Sequence, residues 1–301
     1  MKGAPTIAEA LAGSTRWLKN AGVPAAGRDA EVLLGHVLRA GREVLVGHPG
    51  RRLTRHETAR LRALITRRGR REPVAYLLGL KEFWSHDFVV TPDTLVPRPD
   101  SESVVEAVLA HIRDRAAPLS LLDFGTGSGC LLLALLDELP NAIGLGVDLS
   151  VRAVSVARAN AERLDLGGRA HFLAGDWGRA LAGRFDLVVA NPPYVVDGEV
   201  DRLAPEIARF EPRRGLAGGP DGLACYRALA GDLARLLAPR GRAVLEVGAG
   251  QADRVASLMR SQTLVEVGRW RDLAGVERCL VLSHTNIRAN ATENAWKARE
   301  S

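Results

Sequence analysis

Cysteine is scarce in this sequence: Cys130, Cys225 and Cys279 stand far apart, and no C-x-x-C pair occurs. An odd, scattered set excludes a disulfide framework and a cysteine zinc site, and fits a reducing cytosol. Long apolar runs are missing too; none reaches the ~18 residues needed to span a bilayer. The stretch from Met1 to Asn20 lacks a continuous apolar core followed by a small-residue cleavage site, so no secretory signal is expected. Together these absences predict a cytoplasmic chain with no membrane attachment and no bound metal.

What is present is ordinary in composition and uneven in charge. The 301 residues are 47% hydrophobic and 25% charged, enough for two domains at ~100–200 residues each. Residues 1–90 carry 16 Lys+Arg against 8 Asp+Glu, although the whole chain is only +6. Most of that excess lies between Arg51 and Arg71, where nine arginines meet only Glu57 and Glu72. Such a run suits an acidic partner or an RNA surface, and equally a solvated helix face; charge alone does not choose.

Apolar spacing predicts helices over residues 5–75. Ile7, Leu11 and Trp17 to Leu18 space out like one apolar face, and Ala30, Leu33, Leu34, Val37 and Leu38 give an i, i+3, i+4, i+7 stripe. Thr54 and Glu57 form a capping-box pattern opening a third helix through Leu61, Leu64 and Ile65. The arginines interleaved with that stripe are expected on its outer face. Phe83, Trp84, Phe88, Val89 and Val90 then read as a hairpin or extended linker, with His86-Asp87 as its turn. From Leu119 onward strands and helices alternate: Leu119–Phe124, Ile143–Val147, Ala170–Leu173, Phe185–Ala190 and Ala243–Val247 as strands, Leu131–Leu139 and Val151–Arg163 as helices. That alternation predicts a parallel, doubly wound α/β sheet. Val265–Trp270 and Arg278–Leu282 are joined too closely to be anything but antiparallel. The expected layout is a helical domain over 1–80, a hairpin or linker over 81–100, an α/β domain over 101–284, and a disordered tail over 285–301.

Four segments follow strands, and in an open parallel sheet such loops converge on one crevice. Asp123-Phe124-Gly125-Thr126-Gly127-Ser128-Gly129 has glycines at alternate positions, which lets a ligand approach the backbone before a helix N-terminus. Cys130 stands where the dinucleotide pattern G-x-G-x-x-G wants glycine, which argues against a hydride-transfer cofactor. Asp148, about 20 residues beyond that loop, is placed to accept hydrogen bonds from the hydroxyls of an adenosine ribose; its alternative is a helix N-cap, which Ser150 can supply. Gly175-Asp176-Trp177 offers an acid and an aromatic ring to a base, or simply a core tryptophan at a turn. Asn191-Pro192-Pro193-Tyr194 suits a planar nitrogen, a poor nucleophile because its lone pair is delocalised. The Asn191 side-chain oxygen and the Pro192 carbonyl can accept from its two N–H groups, Pro193 stiffens the turn, and Tyr194 can stack on the flat group. These residues alone leave glutamine and nucleobase acceptors both open.

The assembled chain resembles a class I methyltransferase of the release factor glutamine N5-methyltransferase (PrmC/HemK) family. The resemblance runs through Arg28–Leu34, Pro73–Gly79, Lys81–Trp84, Leu95–Glu102, Glu211-Pro212, Gly218–Leu223 with Tyr226-Arg227, and Leu245–Gly248 with Gln251. It implies a Rossmann-like, mostly parallel seven-stranded sheet with a small N-terminal helical domain for substrate recognition. It also implies S-adenosylmethionine held by Gly125, Thr126, Gly127, Ser128, Gly129, Asp148, Trp177 and Asn191. The substrate would be the glutamine of the Gly-Gly-Gln loop of peptide chain release factors, bound by Asn191, Pro192, Pro193 and Tyr194, of which Asn191, Pro192 and Tyr194 serve catalysis. The basic N-terminal face would then meet a protein, with no stable nucleic-acid binding. A ribosomal-protein glutamine is the nearest alternative substrate, and a DNA or RNA base amino group a further one. Ser101 stands in place of a more usual threonine and Ala249 in place of an aromatic, while the tail after Leu282 has no counterpart.

Overall fold

A computed structural model of the chain describes residues 4–272 and 274–285; the tail expected to be disordered lies, apart from Thr285, outside the described residues. The chain divides into two compact units, Met1–Lys81 with Leu203–Glu211, and Glu82–Arg202 with Pro212–Ser301.

The first unit contains α1 (Ile7–Asn20), α2 (Ala26–Leu38), α3 (Arg42–Gly47), α4 (Arg55–Gly69) and α5 (Val74–Leu78). Capping boxes start two of them: Thr6 with Glu9 opens α1, and Thr54 with Glu57 opens α4, the latter as its sequence predicted. The apolar stripes meet in one core that includes Ile7, Leu18, Leu33, Leu34, Leu61 and Ile65. Each fully buried leucine there contributes about 1.5–3 kcal/mol.

One expectation for α4 is corrected. Arg68 does not line the outer face; its side chain is only 7% exposed. Counting seven on from Leu61 places Arg68 on the buried stripe itself. Its guanidinium donates from Nε to Asp29 Oδ2 at 2.7 Å and from Nη2 to Glu206 Oε1 at 2.8 Å. Arg71 donates to both oxygens of Glu206, each at 2.7 Å. Arg67 pairs with Glu72, and Arg51 with Glu57. Much of the basic run is therefore neutralised within the unit, whereas Arg52, Arg55, Arg62 and Arg70 stay exposed. Glu206 sits on the short helix Pro205–Phe210, far along the sequence. Its ion pairs tie this helix to Arg68 and Arg71, and residues 203–211 group with the N-terminal helices.

The boundary between units falls within β1 (Leu80–Phe83), which pairs with β2 (His86–Val89). A two-residue connection joins them, and its residues are Trp84 and Ser85, not His86-Asp87. Both have positive φ, 50° and 60°, the requirement of a type I′ hairpin turn. Carboxylates compensate for the missing glycine: Trp84 N donates to Glu102 at 3.0 Å and Ser85 N to Glu82 at 2.8 Å.

The second unit continues with α6 (Glu102–Ala110), β3 (Ser120–Phe124), α7 (Cys130–Glu138), β4 (Ile143–Asp148), α8 (Val151–Arg163), β5 (Ala170–Ala174) and β6 (Phe185–Ala190). Beyond α9, the helix Pro205–Phe210 already described, come α10 (Ala224–Leu236), β7 (Leu237–Glu246), α11 (Ala252–Arg260), β8 (Leu264–Arg271) and β9 (Glu277–His284). The sheet has seven strands in the order β5-β4-β3-β6-β7-β9-β8. Pairings from β5 through β7 are parallel, and β9 runs antiparallel to both its neighbours. Strand β7 is longer than its apolar run because a bulge at Ala238–Gly241 separates the pairs Phe185↔Leu237 and Leu187↔Arg242.

Period-two alternation divides the core. Leu121, Leu187, Val189 and Val244 pack with α6, α7 and α8, whereas Leu122, Val188, Ala190, Ala243 and Leu245 pack with α10 and α11. Strand order reverses direction between β3 and β6, so the loops leaving their carboxyl ends flank the switch-point crevice. Those loops begin at Gly125 and Asn191.

Candidate functional site

The loop after β3 owes its shape to glycine. Gly125, Gly127 and Gly129 all have positive φ (70°, 56° and 81°), and the N–H groups of Gly125 and Thr126 both donate to the Val147 carbonyl, at 2.8 and 3.0 Å. Thr126 turns its hydroxyl inward to Asp123 Oδ2 at 2.6 Å, and the Ser128 carbonyl accepts from Asn160 at 2.8 Å. Their polar groups thus brace the loop, leaving main-chain groups and the free N–H groups of α7 for a ligand.

Asp148 ends β4 and accepts from Gly127 N at 2.9 Å and Ser150 N at 2.8 Å, one bond to each oxygen. Every carboxylate oxygen keeps a further lone pair. Ser150, rather than Asp148, caps α8, through a bond from Ala153 N. Asp123 is 1% exposed and its Oδ1 has no partner. Burial pushes its carboxyl up to about 7, against the Thr126 hydrogen bond, with the charge of Asp148 adding to the rise. Trp177 holds a left-handed φ of 50° and stands edge-on to Phe124, with centroids 6.1 Å apart. Asp176 is ion-paired to Arg179 at 2.7 Å.

Asn191 follows β6 directly. Its Nδ2 donates to Ser101 Oγ at 3.1 Å, which leaves the side-chain oxygen unspent. Pro192 is buried. The Tyr194 hydroxyl donates to Glu246 Oε1 at 3.3 Å. Burial drives the Tyr194 phenol above its ordinary range, and the Glu246 charge raises it further, so the phenol stays a donor. Glu246 is itself pushed up to about 7 by burial, against the hydroxyls of Ser101 and Tyr194 that hold it down.

Pro193 and Tyr194 are braced by residues to which sequence reading gave no role. Gln251 donates from Nε2 to the Tyr194 carbonyl at 3.0 Å and accepts from Gly248 N at 3.1 Å. Val195 N donates to the Leu216 carbonyl at 2.9 Å, and Gly218 N to the Val195 carbonyl at 2.8 Å. A Cβ on Gly222 would lie 2.6 Å from the Tyr194 carbonyl oxygen, at a φ of +74°. Gly222→Ala is therefore expected to lower turnover at least about 10-fold, because the obstructing atom is backbone and the strained segment carries the site; overpacking of this kind costs about 1–3 kcal/mol. Steady-state kinetics beside urea unfolding checks this, and wild-type turnover would contradict the close approach. Ser101, Glu246, Gln251 and Gly218–Leu223 all fall in the segments that carried the family resemblance. Nothing in composition or spacing signalled that they converge on Asn191–Tyr194.

Known proteins resemble this chain over most of its length. The chain is 48% identical over 264 residues to the release factor glutamine methyltransferase of Rhodospirillum rubrum, covering 88% of this chain and 81% of that protein. It is 42% identical over 277 residues to the release factor glutamine methyltransferase of Caulobacter vibrioides, covering 92% and 96%. The chain belongs to the release factor glutamine methyltransferase family. The family described as PrmC N-terminal domain matches residues 9–79, and that described as Methyltransferase small domain matches residues 102–209. Among solved structures, a protein-(glutamine-N5) methyltransferase (release factor-specific) from Alicyclobacillus acidocaldarius is 30% identical, with a TM-score of 0.39, and covers 65% of this chain and 99% of that one. Membership in the release factor glutamine methyltransferase family rests on the sequence relatives. Among the described residues no helix is long and apolar enough to cross a membrane, and no group of three or more His, Cys, Asp or Glu is arranged to hold a metal ion.

Proposed function

We propose that this chain transfers the methyl group of S-adenosylmethionine to the side-chain amide nitrogen of the glutamine in the Gly-Gly-Gln loop of peptide chain release factors, in the cytoplasm. The observation that carries this reading is the state of Asn191: its amide nitrogen is committed to Ser101, so its oxygen is the end available to accept an N–H from a planar amide.

The residues after β3 and β4 suit the methyl donor. The orphaned, buried Oδ1 of Asp123 wants a donor such as an ammonium group. Asp148 has lone pairs left for ribose hydroxyls, and Gly125, Gly127 and Gly129 keep the approach to the backbone clear, with Thr126 and Ser128 bracing them. Trp177 offers an aromatic surface for a base. When bound, S-adenosylmethionine supplies a sulfonium-activated methyl group.

This chain's own contribution is orientation. The Asn191 oxygen and the Pro192 carbonyl accept the two N–H bonds of the glutamine amide, which fixes the nitrogen and favours pyramidal geometry. Pro193 stiffens the turn, and Tyr194 borders the amide with its hydroxyl anchored to Glu246. No strong general base is required, since a nitrogen that has gained a fourth bond sheds its proton to water. Holding two reactants in line is worth effective molarities on the order of 10⁵–10⁸ M, the main source of rate here. The helical unit recognises the body of the factor, using the exposed Arg52, Arg55, Arg62 and Arg70, and no stable nucleic-acid complex is expected.

Incubation with labelled S-adenosylmethionine and purified release factors, followed by mass spectrometry, is expected to place one methyl group on the Gly-Gly-Gln glutamine. Label found only in a ribosomal protein or only in nucleic acid would overturn the substrate.

A further inference from the structure

Ser101 reaches Asn191 from a short turn whose own hydrogen bonds are local. Pro99–Ser101 is a single 3-10 turn. Ser101 N donates to the Arg98 carbonyl at 3.1 Å, and Glu102 N donates to the Pro99 carbonyl. Bonds of this kind shape a turn without fixing where it sits. Its position matters, because Ser101 is 3% exposed and its Oγ receives Nδ2 of Asn191 at 3.1 Å. That length is near the upper end of the N–H···O range, so an outward shift of about 0.5 Å would break the bond.

The turn is tied to β9. Arg278 donates from Nη2 to Asp100 Oδ2 at 2.9 Å, one residue before Ser101. Beside it, Cys279 Sγ lies 3.2 Å from Ser103 Oγ, and Ser103 Oγ donates to the Asp100 carbonyl at 2.5 Å. Arg278 is well anchored for such a task. Its carbonyl accepts from Val247 N at 2.7 Å, and its Nε donates to Asp272 Oδ2 at 2.7 Å. Asp272 is in turn held by Ala274 N at 2.9 Å and Val276 N at 3.0 Å. The Arg278 side chain is 19% exposed and that of Asp100 50%. A pair as open as this adds little to stability, so its use lies in placement.

We propose that Asp100 and Arg278 are positioning residues: their ion pair clamps the turn Pro99–Ser101 onto β9, and so holds Ser101 Oγ where it receives the Asn191 amide nitrogen. This rests on the reading that the Asn191 oxygen receives a substrate amide. Without the clamp the turn can drift from β9, and the Ser101–Asn191 bond is the first to fail. The Asn191 side chain then turns freely, and its oxygen no longer waits where the substrate N–H arrives. Asp272 keeps Arg278 as its partner when Asp100 is replaced, so Asp100→Ala strands no buried charge. Arg278→Met does leave Asp272 alone, which makes Asp100→Ala the deciding variant.

Turnover on a purified release factor is measured beside calorimetric affinity for S-adenosylmethionine and the urea unfolding midpoint. Asp100→Ala is expected to lower kcat about 10-fold, less than the roughly 100-fold cost of a full misplacement of reacting groups, with the unfolding midpoint unchanged. Cofactor affinity is expected to hold within about twofold, since neither residue lies in the loops after β3 and β4 that suit the donor. In a Ser101→Ala background, Asp100→Ala is expected to lower kcat no further, because the two act along one route. Wild-type kcat in Asp100→Ala overturns the assignment, as does an undiminished effect of Asp100→Ala when the Ser101 hydroxyl is absent. A loss of kcat that tracks cofactor affinity or the unfolding midpoint overturns it as well. A wild-type chain that methylates no release factor would overturn the substrate reading first, and this inference with it.

Discussion

Asn191→Ala is expected to lower kcat for a release factor by about 10²–10³-fold, the usual cost of removing one preorganised hydrogen-bonding group from a transition state. The argument is one of accounting for donors and acceptors. Nδ2 is tied to Ser101, so only the oxygen can serve the substrate, and alanine removes it. One glutamine N–H would then be buried without an acceptor, which costs free energy in addition to the lost bond. The Pro192 carbonyl remains and preserves residual turnover. Cofactor affinity is expected to stay within about twofold, because the groups suited to the donor lie mainly at Asp123, Gly125–Gly129 and Asp148. Single-turnover methyl transfer together with calorimetry separates the two effects. Full activity would remove the acceptor role, and a matching fall in affinity would make Asn191 a cofactor residue first.

The catalytic fold was largely readable because its signals are local. Apolar runs bounded by glycine gave β3 through β6 nearly to the residue, and the short link before Glu277 gave the antiparallel pair β8 and β9. Signals that depend on tertiary partners were not readable. Trp84 and Ser85 adopt left-handed φ without glycine while carboxylates take their N–H groups, one of them, Glu102, distant in sequence. Arg68 was assigned to solvent by its charge, although its spacing from Leu61 placed it on the buried stripe; the acids that permit its burial come from α2 and from Glu206. The same holds at the site. Asn191–Tyr194 was legible as a motif, whereas Ser101, Glu246 and Gln251 meet it only through the sheet, by a route that spacing does not encode.

The arginine cluster yields the second large effect. Arg68→Ala is expected to destabilise the N-terminal unit by about 3–5 kcal/mol, because breaking a buried pair leaves its partners' charges uncompensated. Asp29 has the most to lose, since Arg68 Nε is 2.7 Å from its Oδ2, whereas Glu206 retains Arg71. A double variant that also carries Asp29→Ala is expected to recover part of the loss, since it removes the stranded charge. The acid dependence follows from Glu206. Burial alone would raise its carboxyl, but the hydrogen bonds from Arg71 and Arg68 prevail and bring it down to about 2, from an ordinary 4.5. A depressed folded pKa means its contribution is complete above about 4.5 and lost as the pH falls toward 2. Urea unfolding at pH 7 and pH 3, with hydrogen exchange resolved over α2, α4 and the helix Pro205–Phe210, reads both effects. At pH 3 the gap between wild type and Arg68→Ala should narrow, since part of the interaction has already gone. Unfolding of Arg68→Ala within about 0.5 kcal/mol of wild type at pH 7 would place this cluster with ordinary solvated pairs.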